Sequence, residues 1–203
     1  MTIKLYKGDM PATLELGSSV AVDTEALGLN PLRDKLCLVQ LSSGDGNAHL
    51  VQLDRSNYDA PRLKALLGSP DVLKIFHYAR FDVATLKHYL GVETRPVYCT
   101  KIASRLTRTY TDRHGLKDLV KELLGIELNK QQQSSDWGVH MLSDAQKQYA
   151  AQDVLYLHEI KARLDQMLER EGREKLAKAC FDFVNIRAAL DLAGWTEEDV
   201  FAH

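Results

Sequence analysis

Asp23 and Glu25 stand two residues apart in VAVDTEALGL, directly after the apolar run Val20–Val22. In a strand that spacing puts both carboxyls on one face, roughly 7 Å apart along the backbone. Two like charges held together beside a core are destabilising unless a cation sits between them. Read alone, the pair fits either a metal site or two solvated acids at a fraying strand end. Asp82 follows the apolar VLKIFHYARF, where a second core strand gives way to a helix. It is either a ligand or a cap or first-turn acid favoured by the helix dipole. Tyr149 and Asp153, in QYAAQDVLYL, are four apart and share a helix face that continues through Leu157, Ile160, Leu164 and Leu168. No basic residue lies at helical spacing from Asp153, so it takes a partner from another element or is exposed at the helix start. Taken together, the three sites supply four carboxylates from separate elements. Hard oxygen donors of that kind suit Mg²⁺ or Mn²⁺ rather than zinc.

The elements that must carry these residues are legible in the pattern. SVAVDTE, KLCLVQLSS and AHLVQL are short strands separated by turn-rich GLNPLRD and GDGN, which predicts an antiparallel meander. A helix over APRLKALLG, a buried strand VLKIFH and a helix from about Phe81 to Leu90, stopped by Gly91, follow. A short strand at VYCT leads to helices over KIASRLT and GLKDLVKELLG. Ser143 and Gln146 have capping-box spacing at the start of a long helix running to about Glu171, and a last helix spans roughly Glu174 to Leu192. A meander followed by alternating strands and helices predicts an α/β domain, one mixed sheet flanked by helices. With 203 residues and no linker or repeat, residues 1–203 are expected to form a single domain, with 172–203 as its C-terminal helix and tail.

Composition limits the partners. A formal charge of −2 and a pI near 6.4 argue against holding long nucleic acid by an overall field. Cys37, Cys99 and Cys180 are odd in number, scattered and set in apolar sequence, which predicts buried reduced thiols. The N-terminus has no apolar signal region, and no run approaches the roughly 20 apolar residues of a membrane span, so a cytoplasmic protein without membrane contact is expected.

At these residues the sequence resembles the DEDD 3′-to-5′ exonucleases, in the tyrosine-bearing branch that includes ribonuclease D. The matching blocks are VAVDTEALGL with KLCLVQLSSG, then KIFHYARFDVATL, then QYAAQDVLYL, with KQQQSSDWG also ribonuclease D-like. The family fold is ribonuclease H-like, in agreement with the element order. TKIASRLTRTYTDRHGLK, NKQQQSSDW and the closing AGWTEEDVFAH, with the chain length, are similar to the nanoRNase C group of small alphaproteobacterial oligoribonucleases.

That resemblance implies a metal-dependent exoribonuclease that degrades very short RNA, above all dinucleotides such as pGpG, to 5′-mononucleotides, and assembly into an octameric ring. It implies two divalent ions, Mg²⁺ or Mn²⁺, held by Asp23, Glu25, Asp82 and Asp153, with Tyr149 orienting the attacking water. Ribonuclease D carries further helical domains after its nuclease domain, for which this chain has no room. By the same resemblance Leu29 occupies the place of a leucine wedged between two bases, with core packing as the other reading. Thr24, His77, Arg80 and Phe81 flank the acids and are candidate substrate contacts, with a structural role as the other reading of His77. Gln133 and Ser135, also candidate contacts, and Trp137 precede the helix of Tyr149 in a stretch that is either a lid or substrate-side loop or a structured connector. The stretch from Lys101 to Lys117 is the one basic segment, either a solvated face or a wall of the approach to the site. A general RNA trimmer, an exonuclease acting on other single-stranded nucleic acid including DNA, and a non-catalytic binding module are the alternatives. The presence of every acid and the tyrosine counts against the last.

Overall fold

A six-stranded mixed sheet carries the chain in the computed structural model, which describes residues 2–128 and 135–203. The predicted meander is present as β2 (Ser19–Ala26), β3 (Leu36–Ser42) and β4 (Ala48–Gln52), paired antiparallel. All seven residues of β3 are buried, as a near-continuous apolar run at the centre of a sheet covered on both faces should be. The sequence reading passed over β1 (Ile3–Lys7), a half-buried edge strand parallel to β4. On the other side β5 (Leu73–Phe76) runs parallel to β2, and β6 (Val97–Cys99) parallel to β5, giving the order β1-β4-β3-β2-β5-β6.

Seven helices among the described residues cover this sheet: α1 (Pro61–Gly68), α2 (Ala79–Leu90), α3 (Thr100–Thr107), α4 (Leu116–Leu124), α5 (Asp144–Leu155), α6 (Leu157–Arg170) and α7 (Glu174–Leu192). Helix α5 packs across β1 to β4, while α2 lies against β3, β5 and β6 with α7 behind it. At the start of α5 the reciprocal capping box forms: Ser143 Oγ accepts from Gln146 N, and Gln146 Oε1 accepts from Ser143 N. The single long helix expected from Ser143 to Glu171 is interrupted at Tyr156 (φ −104°, ψ −4°), which ends α5 and opens α6. The apolar stripe crosses the break, since Leu157, Ile160, Leu164 and Leu168 are all buried. The thiol expectation holds for Cys37 and Cys99; Cys180, on the outward side of α7, is only half-buried. No described helix is long and apolar enough to cross a membrane.

Two features of β2 set up its acidic end. Its pairing with β3 shifts between Glu25, opposite Leu38, and Ala26, opposite Leu36, so that Cys37 is the extra residue of a bulge. Such a bulge twists the strand and re-aims the side chains beside it. Parallel pairing with β5 then places the chain leaving β5 beside the carboxyl-terminal half of β2, the side on which sheets of this kind bind ligands.

Candidate active site

Asp23, Glu25 and Asp153 converge: one carboxylate oxygen from each lies within 4.8 Å of the others. The strand supplies the first two from one face, and α5, packed on that face, supplies the third. Asp82 comes from the first turn of α2 and is only 3% exposed. The chain reaches it through Tyr78, whose left-handed backbone (φ 69°, ψ 42°) lets α2 start directly after β5. A tyrosine in that conformation is uncommon and costs on the order of 1–3 kcal/mol, a strain characteristic of sites where geometry is imposed.

None of the ion pairs among the described residues involves these four acids. Burial, only partly offset by a hydrogen bond from the Thr24 backbone, pushes the Asp23 carboxyl up to about 7. Burial first, then the charges of Asp23, Asp153 and Asp82, pushes Glu25 up to about 10. Asp82 and Asp153 are likewise raised well above the carboxylate range, by burial and then by Asp23. Acids that repel one another inside a cleft, with no cation between them among the described residues, suit a divalent metal, and Asp23, Glu25 and Asp153 lie close enough to share one. The residues therefore fit the cations that the acid pattern calls for. Gln40, opposite Asp23 in β3, donates from Nε2 to Asp23 Oδ2 at 3.3 Å, an orienting contact that only strand register could have revealed.

Tyr149 lies beside the cluster. Burial, then the charges of Asp153, Glu25 and Asp23, pushes its phenol far above the ordinary value, which favours the protonated hydroxyl, a group able to donate. Its ring meets Trp137 with centroids 6.0 Å apart and planes at 38°. Behind both stands a small apolar cluster of Cys37, Leu38, Leu50, Leu142 and Ala150.

The cleft over these groups has a volume of about 700 Å³, within the usual range for small-ligand sites. Leu29 and Leu27 form part of its rim, and Leu29 is 87% exposed, so it is not a core residue. Thr24, His77, Phe81 and Ser135 also line the cleft. The Thr24 hydroxyl is engaged with Asp82 rather than presented to a ligand. His77 Nδ1 pairs with Thr100 Oγ1 at 2.9 Å, and burial, then Lys101, lowers its pKa to about 3; a neutral ring cannot serve as a cation for phosphate. Gln133 lies outside the described residues.

Arg80 is not part of this assembly. Its guanidinium makes two 2.6 Å bonds to Asp191 at the end of α7 and a third to the Thr196 carbonyl. Only two positions from Asp82 on a helix, it faces away from it. From the basic segment, Lys101 and Lys117 do line the cleft, with Lys101 Nζ 4.2 Å above the Tyr78 ring. Arg108 instead is fully buried and paired with Glu122.

A protein-family model described as 3′-5′ exonuclease matches residues 8–169. The chain belongs to the 3′-5′ exonuclease family. This exonuclease is 35% identical to ribonuclease D of Gluconacetobacter diazotrophicus over 154 residues, which cover 76% of the chain and 39% of that protein. It is 33% identical to DNA polymerase I of Aquifex aeolicus over 187 residues, 89% of the chain and 30% of the polymerase. The chain thus spans about two-fifths or less of the length of these curated relatives. Among solved structures, Brucella melitensis NrnC with bound Mg²⁺ is 53% identical with a TM-score of 0.96, each chain covered in full. NrnC bound to pGG gives 54% and 0.97, covering 100% of this chain and 99% of that one. Escherichia coli RNase D gives 26% and 0.74 over 84% of this exonuclease and 45% of the solved chain. The expected ribonuclease H-like fold, a mixed sheet flanked by helices, is the fold of these exonucleases.

Proposed function

We propose that this exonuclease hydrolyses very short RNAs, dinucleotides above all, from the 3′ end to 5′-mononucleotides. The observation that carries the reading is the meeting of Asp23, Glu25 and Asp153 within 4.8 Å, with buried Asp82 on the neighbouring helix, at the floor of a cleft rimmed by an exposed leucine. The similarity to an NrnC solved with pGG supports the substrate class.

In this reading Asp23, Glu25 and Asp153 would hold one divalent ion and Asp82, with Asp23, would hold a second, Mg²⁺ or Mn²⁺; Mg²⁺ has the support of the metal-bound NrnC. When bound, the ions supply an acidified water and neutralise charge developing at phosphorus and on the leaving oxygen. Tyr149, protonated, orients the attacking water through its hydroxyl. Leu29, the exposed leucine of the rim, meets the bases as an apolar wedge. Lys101 and Lys117 supply positive charge on the wall facing the carboxylates.

The deciding experiment compares turnover of pGpG, a longer RNA and a DNA strand at equal concentration with Mg²⁺. Clear preference for the dinucleotide is expected; equal rates would return the protein to the general trimmers.

For the whole protein we propose a homo-oligomer, an octameric ring, working in the cytoplasm. The exposed Phe183, Ile186, Trp195 and Phe201 of α7 and the tail, with Phe183 and Phe201 in ring contact, support assembly, since exposed apolar side chains favour association. The free cysteines suit a reducing compartment. Light scattering of the full chain and of a tail-deleted chain tests the ring.

A further inference from the structure

The segment that carries Trp137 is held by side chains from distant parts of the chain. Arg55 Nη2 donates to the Gly138 carbonyl at 2.7 Å, Gln52 Nε2 to the Val139 carbonyl at 2.8 Å, and Lys7 Nζ to the His140 carbonyl at 2.7 Å. Three successive carbonyls that no strand ladder or helix satisfies are thus each given a side-chain donor. Gly138 is shaped to this grip. A Cβ there would lie 2.8 Å from Leu27 Cδ2, 2.9 Å from Arg55 Nη1 and 3.0 Å from Asp136 Oδ1, so any larger residue would force the side chains around the grip to shift. Trp137 itself is 3% exposed, and its indole Nε1 has no hydrogen-bond partner among the described residues. The ring is therefore placed by packing and by the backbone on either side of it. Its neighbour in that packing is Tyr149.

We propose that Arg55 is a positioning residue for the hydrolysis. By gripping the Gly138 carbonyl it seats Trp137 against Tyr149 and so fixes the phenol beside Asp23, Glu25 and Asp153. The inference rests on the exonuclease reading of Tyr149. A planar guanidinium suits the task because it offers several donors in one rigid plane. A displacement of about 1 Å at the phenol is enough to cost roughly 10²-fold in rate.

The test is a cycle of Arg55→Ala and Tyr149→Phe in the full chain, with Arg55→Lys and Gly138→Ala beside it. Arg55→Ala is expected to lower kcat about 10- to 100-fold with little change in KM. The same substitution made on Tyr149→Phe should cost almost nothing further, because its effect passes through the phenol. Arg55→Lys, which keeps one donor, should recover part of the loss, and Gly138→Ala should reproduce it. In a Trp195→Phe background the remaining tryptophan is Trp137, and its emission should shift to the red in Arg55→Ala as the ring loosens. Equal losses from Arg55→Ala in the presence and absence of the phenol, or unchanged Trp137 emission, would overturn the positioning role. Wild-type turnover by Tyr149→Phe itself would instead overturn the site reading beneath it.

Discussion

The Thr24 hydroxyl donates to Asp82 Oδ1 at 2.7 Å, tying the strand that carries Asp23 and Glu25 to the helix that carries Asp82. The bond is buried and joins residues far apart in sequence. Partners of metal ligands typically contribute 10- to 100-fold in affinity. Thr24→Val is therefore expected to weaken Mg²⁺ binding, read by calorimetry, about tenfold, while Thr24→Ser restores it.

Metal-free stability should fall as pH rises. Asp23 at about 7 and Glu25 at about 10 keep protons in the folded state that the unfolded chain has released above its ordinary carboxylate values. The folded state thus binds more protons, and stability declines from about pH 4 upward, by about 1.4 kcal/mol per pH unit for each excess proton. Thermal melts of chelator-treated protein should show the decline. Added Mg²⁺ should stabilise more at pH 8 than at pH 5. Asp23→Asn should abolish hydrolysis yet flatten this profile, and a melt that follows wild type through pH 7 would contradict the buried acid.

Tyr149→Phe should lower kcat about 10²-fold without moving the alkaline limb of the pH–rate profile. The phenol is pushed well above its ordinary value, so its ionisation lies outside the working range. Loss of an alkaline limb in the phenylalanine variant would identify Tyr149 as a base instead.

Leu29→Ala should leave the melting temperature within about a degree, since exposed side chains away from special features contribute within about 0.5 kcal/mol. The same change should raise KM for a dinucleotide about tenfold, the loss of one apolar contact with a base. Steady-state kinetics with pGpG checks it.

Arg80→Ala should act on stability rather than on substrate binding. Asp191 is buried and keeps Arg187 at 2.8 Å, so the loss is partial, about 2 kcal/mol in denaturant unfolding. KM should stay near wild type.

The difference between Arg80 and Asp82 shows what sequence carries and what it omits. The four acids and the tyrosine of the candidate site are legible because each sits at a position whose pattern is regular: alternation in β2, the start of α2, an i,i+4 pair on α5. Arg80 was drawn in by nearness along the chain, which on a helix two positions away means the opposite side. Strand β1 was missed because a short, half-buried edge gives little alternation, and the break at Tyr156 because neither Gly nor Pro marks it. Gln40 and Arg55 carry no local signal at all. Their roles come from register and from loops meeting across the sheet.

Asp23 is on the second strand of the fold and Asp153 on its fifth helix, so more than half the chain separates groups that must meet within 4.8 Å. At about 5–20 residues per second, translation makes Asp153 roughly 6 to 26 seconds after Asp23. A nascent chain emerging beside ribosomal and messenger RNA therefore lacks the third carboxylate of this cluster. Asp23, Glu25 and Asp82 are present early, but the cluster is complete only when α5 leaves the exit tunnel and docks.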